Sequence, residues 1–302
     1  MTTLSDEARA YLAGKRSGPP LPPAADLPAW RALVAHVDAA AEADALPHLA
    51  GYPVSRQPWK GMTVCRPLEP LAAAADKAVL FLHGGGLVFF SGPMVEYRTA
   101  VEAMRLHLTV YGLDFRQPPD HPYPAAVDDG LDAYRTLVET VGPANLCLHG
   151  VSGGAAVAVA VLYRARGAGL PMPAGLALSY PMLDLTGSGQ SHRLNVGDPA
   201  LPEGGLAPAW RLYAAGASLT DPLVSPLFGD PAGFPPTRTL SGELDLLQSD
   251  AAAFHERLTR AAVASTLEVL PRAPHGGFGG NAPEDRAAHR RMLQFMLECW
   301  GL

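Results

Sequence analysis

Cysteine is scarce in this chain of 302 residues: Cys65, Cys147 and Cys299 are the only three. An odd, sparse set without a Cys-x-x-Cys pair does not make a disulfide framework. Basic clusters are absent too, and the net charge is −6, so neither nucleic acid nor an anionic membrane surface is an expected partner. No apolar run is long enough to cross a bilayer. The first residues, MTTLSDEARAYLAGKRSG, lack a basic start followed by an apolar stretch. No signal peptide is therefore expected, and a cytoplasmic location is. Cofactor signatures are missing as well. From Gly84 the chain reads G-G-G-L-V-F and from Gly150 G-V-S-G-G-A, and neither fits the G-x-G-x-x-G dinucleotide fingerprint. There is no Walker A motif, and His255-Glu256 lacks the second histidine of a zinc-protease helix.

What is present reads as globular: 48% of residues are hydrophobic and 17% charged. The spacing predicts helices over 1–16 and 27–45, separated by the breaker SGPPLPPAADLP. Strands follow over 62–68 and 77–82, then a helix over 94–107, a strand over 108–115 and a helix over 124–141. The alternation continues with strand 145–149, helix 154–166 and strand 175–180. It ends with a short helix bearing Trp210 and Tyr213, strand 237–241, helix 249–263, strand 266–270 and helix 283–299. Strands alternating with helices imply an α/β fold with a mostly parallel central sheet flanked by helices. No repeat or interdomain linker is visible, so residues 1–302 read as a single domain. Two segments break the alternation, about 1–50 and 186–218, and they could pack together as a lid. An exposed last strand over 266–270 would let two copies pair edge to edge as a homodimer.

Gly150-Val-Ser152-Gly-Gly154 fits G-x-S-x-G at a strand-to-helix junction. A serine on such a turn projects its Oγ from the sheet, and close packing leaves no room for side chains two positions away. The N–H of Gly153, opening the next helix, could bind an oxyanion. Alone, the pentapeptide could equally be a tight turn in a chain with 31 glycines.

An acyl-transfer serine needs a base, an orienting acid and an oxyanion hole. His83-Gly84-Gly85-Gly86 ends an apolar strand, and consecutive glycines let backbone N–H groups approach a substrate oxygen. Four histidines follow the serine. His255 and His289 lie in helices among charged residues and read as solvated, and His192 falls in the lid. His275, in the loop PRAPHGGFGG, has the position and chain order of a base. The acid should lie between serine and histidine. Asp245 and Glu243 in SGELDLL are candidates, Asp184 in SYPMLDL is another, and Asp250 reads as a cap or solvent-facing residue on the next helix.

These segments together resemble the bacterial hormone-sensitive-lipase-like esterases of the α/β-hydrolase superfamily, over roughly residues 60–300. HGGG resembles the family's oxyanion motif, and LDFRQPPDHPYPAAVDD (113–129) is similar to its D-Y-R-L-A-P-E-x-P-x-P-A-A-x-x-D signature. GVSGG stands where G-D-S-A-G is usual; SYPMLDL, DPLVSPLFGD and SGELDLL follow in the expected order. The resemblance implies an α/β-hydrolase fold with a helical cap built from about 1–50 and 186–218. It implies Ser152 as nucleophile, Asp245 as acid, His275 as base and oxyanion N–H groups from Gly84, Gly85 and Gly153. No metal or organic cofactor is needed. Val151 replaces the usual acidic residue, Gly153 replaces alanine, Asp245 is followed by Leu-Leu, and His275 by Gly-Gly-Phe rather than Gly-Phe.

The expected activity is hydrolysis of small, neutral, short-to-medium acyl esters. Leu87, Val88, Val151, Trp210 and Tyr213 are the expected apolar pocket wall, with plain core packing as the alternative for several of them. A lactone or an alcohol acceptor would suit the same groups, and so would a catalytically silent small-molecule binding module. A peptidase would require a further large domain, for which the chain has no length.

Overall fold

In the computed structural model, which describes residues 3–302, eight strands form one sheet between two layers of helices. Two helices come first, α1 (Asp6–Gly14) and α2 (Leu27–Leu49), then β1 (Val54–Trp59) and β2 (Met62–Pro67). The alternating part runs β3 (Ala78–Leu82), α3 (Pro93–Leu106), β4 (Thr109–Leu113), α4 (Ala125–Thr140), β5 (Leu146–Val151), α5 (Gly153–Gly167) and β6 (Gly175–Ser179). Two helices of the second irregular segment follow, α6 (Ser191–Leu194) and α7 (Ala207–Ala214). The chain closes with β7 (Thr237–Gly242), α8 (Gln248–Arg260), β8 (Ser265–Leu270) and α9 (Pro283–Cys299).

The strand order is β1-β2-β4-β3-β5-β6-β7-β8. β1, β2 and β4 pair antiparallel, and every pair from β4 and β3 through to β8 is parallel. Parallel strands must be covered on both faces, and the apolar runs of β3 and β6 are buried throughout. Leu80, Leu82, Leu146, Leu148, Leu176 and Leu178 pack on one face against α4, α5 and α8. Val79, Phe81, Cys147 and Ala177 alternate to the other face, against α1, α3 and α9. β8 ends the order, so its outer side is unpaired within the chain. No helix among the described residues is long and apolar enough to cross a membrane.

Several boundaries differ from the sequence reading. The first helix is shorter than 1–16 and is set by Ser5, whose hydroxyl caps the Ala8 N–H while donating to Glu284 at the start of α9. β1 was not expected: VSRQPW is an edge strand with four consecutive exposed positions and a proline, so it carries no apolar run. The two irregular segments touch each other. Trp30 of α2 is fully buried among Val88, Ala209 and Leu212, and Gly18 forms a β-bridge with Pro202.

Candidate active site

The loops at the carboxyl ends of β3, β5 and β7, together with the loop after β8, converge on Ser152. Ser152 has φ 51° and ψ −118°, a positive φ rare for a non-glycine residue, and it sits on the turn from β5 into α5. The turn is held by Ser152 N–H donating to Ser179 O at 2.9 Å and by Met182 N–H donating to Ser152 O at 3.2 Å. Its glycines answer to sterics. A Cβ on Gly150 would stand 2.6 Å from Ala155 Cα, and one on Gly154 would overlap the Leu82 and His83 carbonyl oxygens.

His275 Nε2 lies 3.0 Å from Ser152 Oγ, and His275 Nδ1 lies 3.0 Å from Asp245 Oδ1. With Nδ1–H donating to the carboxylate, the free Nε2 lone pair accepts from the serine hydroxyl. Asp245 is fully buried, and its Oδ1 also accepts Leu247 N–H at 2.8 Å. Burial pulls the His275 pKa down. The Asp245 charge and hydrogen bond, with the Asp198 charge, more than offset that and hold it above its ordinary 6.5.

The triple-glycine loop leans against the serine. A Cβ on Gly84 would lie 3.2 Å from Ser152 Cβ, and Gly85 has φ 129° with a Cβ that would overlap Phe89 O. Among the described residues the N–H groups of Gly84, Gly85 and Gly153 have no acceptor. His83 is buried and stacks on Phe115 at 4.4 Å. Burial lowers its pKa to about 4, so it is neutral and anchors the loop by donating Nδ1–H to Gly84 O at 2.7 Å.

The rival residues lie elsewhere. Glu243 accepts Arg272 N–H at 2.7 Å and pins a turn. Asp184 is buried and accepts from Thr186 and Ser188. Asp250 corrects the sequence reading: it neither caps nor faces solvent, but is buried and accepts Leu183 N–H, Asp184 N–H and His192 Nε2 at 2.8–2.9 Å. His255 and His289 are half-buried rather than fully solvated. His255 pairs with Ser265 Oγ at 2.8 Å, and His289 lines a cavity between α3 and α9, where burial lowers its pKa.

The expected pocket wall is only partly assembled. Leu87 and Tyr213 are buried in the main core, and Val88 packs under Trp30. Trp210 donates Nε1–H to Met182 Sδ at 3.0 Å and stands edge-on to His192. Val151 faces a different cavity, on the α3 and α9 side.

One residue was missed. Asp198, buried in the second irregular segment, accepts His275 N–H at 2.9 Å and Leu246 N–H at 3.1 Å through Oδ2. It ties together the loops carrying His275 and Asp245.

Residues 79–278 match the family described as alpha/beta hydrolase fold. Among curated proteins, the chain is 34% identical over 201 residues to an acetyl-hydrolase of Streptomyces hygroscopicus, covering 66% of this chain and 67% of that one. It is 35% identical over 196 residues to an esterase of Acinetobacter venetianus, covering 63% of this chain and 64% of that one. Among solved structures, esterase E25 superimposes with TM-score 0.90 at 31% identity, over 98% of this chain and 94% of that one. An esterase from the bacterial hormone-sensitive lipase family gives TM-score 0.79 at 27% identity over the full length of both.

Proposed function

Because this chain belongs to the α/β-hydrolase fold family, among its bacterial hormone-sensitive-lipase-like esterases, and is a carboxylic ester hydrolase, we propose that Ser152, His275 and Asp245 carry its reaction. The observation that carries the assignment is the unbroken line from Ser152 Oγ through the His275 imidazole to the Asp245 carboxylate, with 3.0 Å at each step.

His275 takes the Ser152 proton as Oγ attacks the ester carbonyl. The oxyanion forms against the N–H groups of Gly84, Gly85 and Gly153, which already lack acceptors and need no reorganisation. His275 then protonates the leaving alcohol. Water, activated by the same imidazole, releases the acid and restores Ser152. Asp245 holds Nδ1–H and stabilises the imidazolium. We assign small, neutral, short-to-medium acyl esters as substrates. The acetyl-hydrolase among the relatives supports the short end of that range, and the buried aromatic and leucine side chains around the loops leave few polar groups for a charged acyl chain.

A p-nitrophenyl ester series from acetate to long chain tests this. Wild type should hydrolyse the short esters, and Ser152→Ala should lower kcat by at least about 10³-fold while folding normally. A Ser152→Ala protein that kept its activity would remove Ser152 as nucleophile. A rate that rose steadily to the longest chains would remove the short-acyl assignment.

A further inference from the structure

On the α3 and α9 side of the sheet lies a cavity of about 410 Å³, within the range of about 300–1,000 Å³ typical of small-molecule sites. Its wall includes Val151 and Gly276, the residues directly before Ser152 and after His275, but not Ser152 or His275 themselves. It is therefore a second space, behind the proposed nucleophile rather than over it.

The acidic groups of its wall are already satisfied. Glu102 Oε1 is 2.7 Å from His149 Nδ1, and His149 Nε2 is 2.9 Å from Ser179 Oγ. Burial opposes ionisation of Glu102, but the His149 charge and hydrogen bond bring its pKa to about 2. This Ser-His-Glu line has a triad's connectivity without its chemistry. Ser179 is the last residue of β6, in register with Val151 of β5 and Leu240 of β7, so its hydroxyl does not stand on a sharp strand-to-helix turn. Asp285, the other acidic side chain of the wall, accepts the N–H groups of Phe278, Gly280 and Ala282 at 2.9–3.3 Å.

The basic groups have no carboxylate in direct contact, although the Arg105 charge reaches Glu102 and the Arg98 charge reaches Asp38. Among the described residues neither Arg98 nor Arg105 has an ion-pair partner. Arg98 lies 4.3 Å over the Phe90 ring, and its buried Nε has no hydrogen-bond partner. Arg105 makes only a long bond of 3.4 Å to Gly280 O. The two are seven residues apart, so they lie on one face of α3 about 10 Å apart along the axis, close enough for long side chains to converge on one group. Both guanidinium groups are half-buried at the cavity wall, and a guanidinium there favours a carboxylate that can accept two N–H bonds at once. The position where the family places an acidic side chain, beside this cavity, holds Val151 instead.

We propose that this cavity binds the anion of a short-chain carboxylic acid, with its carboxylate on Arg98 and Arg105 and its chain against Phe81, Val101 and Leu240.

The test is titration calorimetry on the Ser152→Ala protein, which needs no turnover, so it stands or falls separately from the ester reading. Butyrate should bind with one site per chain, and butyramide, of the same shape without charge, at least about tenfold more weakly. Arg98→Met and Arg105→Met should each weaken butyrate binding by at least about tenfold. Val151→Asp places a carboxylate inside the cavity and should weaken butyrate equally, leaving both arginines in place as a control against misfolding. Absence of butyrate binding, or equal binding of butyramide, would overturn the proposal. So would butyrate binding that all three substitutions leave unchanged, which would put the acid in the oxyanion loop instead.

Discussion

Asp198 reaches two backbone N–H groups 48 and 77 residues away in sequence, and they belong to the loops bearing Asp245 and His275. No local pattern announces such a residue, because its partners are backbone groups that only the fold brings near. The serine and histidine were legible for the opposite reason. The sharp turn imposes glycines that survive as G-x-S-x-G, and the loop after β8 is marked by proline and glycine. Asp245 was legible only as one of three carboxylates, since a buried acid and a turn-capping acid look alike in sequence. Asp198 is a positioning residue, and two substitutions separate its effects. Asp198→Ala frees both loops and should lower kcat about tenfold or more with KM little changed, because a small displacement of the base is felt mainly in the chemical step. Asp198→Asn keeps an oxygen acceptor but removes the charge. His275 works as a base only when neutral, and its pKa is held above 6.5 in part by that charge. The acid limb of kcat/KM should therefore lie above pH 6.5 in wild type and move to lower pH in Asp198→Asn. A limb that stays in place would show that Asp198 acts by packing alone.

At the scale of elements, continuous apolar runs made β3, β5 and β6 readable, because a parallel strand buried on both faces has no polar alternation to confuse it. β1 escaped because it lies at the sheet's edge, where neither face need be apolar. The departure from the family's alanine at Gly153 has a structural reason. A Cβ there would come 2.7 Å from Leu87 N and 3.2 Å from Gly86 C, so the oxyanion loop rests directly on the first turn of α5. Gly153→Ala must push that loop outward. It should cost at least about tenfold in kcat on p-nitrophenyl acetate, since oxyanion donors lose their value when displaced. The thermal midpoint should change little, because the loop rather than the core absorbs the shift. An alanine variant with full kcat would mean that the loop relaxes without disturbing the donors.

For the molecule as a whole, the first fifty residues connect parts that are far apart in sequence. Ser5 is held by Glu284 at 2.7–2.8 Å, which fixes α1 to the start of α9. A Cβ on Gly279 would stand 2.9 Å from the Tyr11 ring, so α1 also covers the glycine loop that follows His275. Ser17 Oγ donates to Asp198 O at 3.2 Å, and Glu203 N–H donates to Gly18 O at 2.9 Å. The segment before α2 therefore braces the Asp198 loop, and through Asp198 it braces the proposed base. Deleting residues 1–20 leaves Trp30 and its packing on Val88, Ala209 and Leu212 in place, so the sheet and its main core should still form. The variant should nonetheless resemble Asp198→Ala, with kcat reduced about tenfold or more and KM for p-nitrophenyl acetate nearly unchanged. Combining the deletion with Asp198→Ala should add little, because both act through one contact chain. Circular dichroism would confirm the retained fold. Additive losses in the double variant would mean that α1 supports the site by a route other than Asp198, with its cover of the Gly279 loop as the remaining connection.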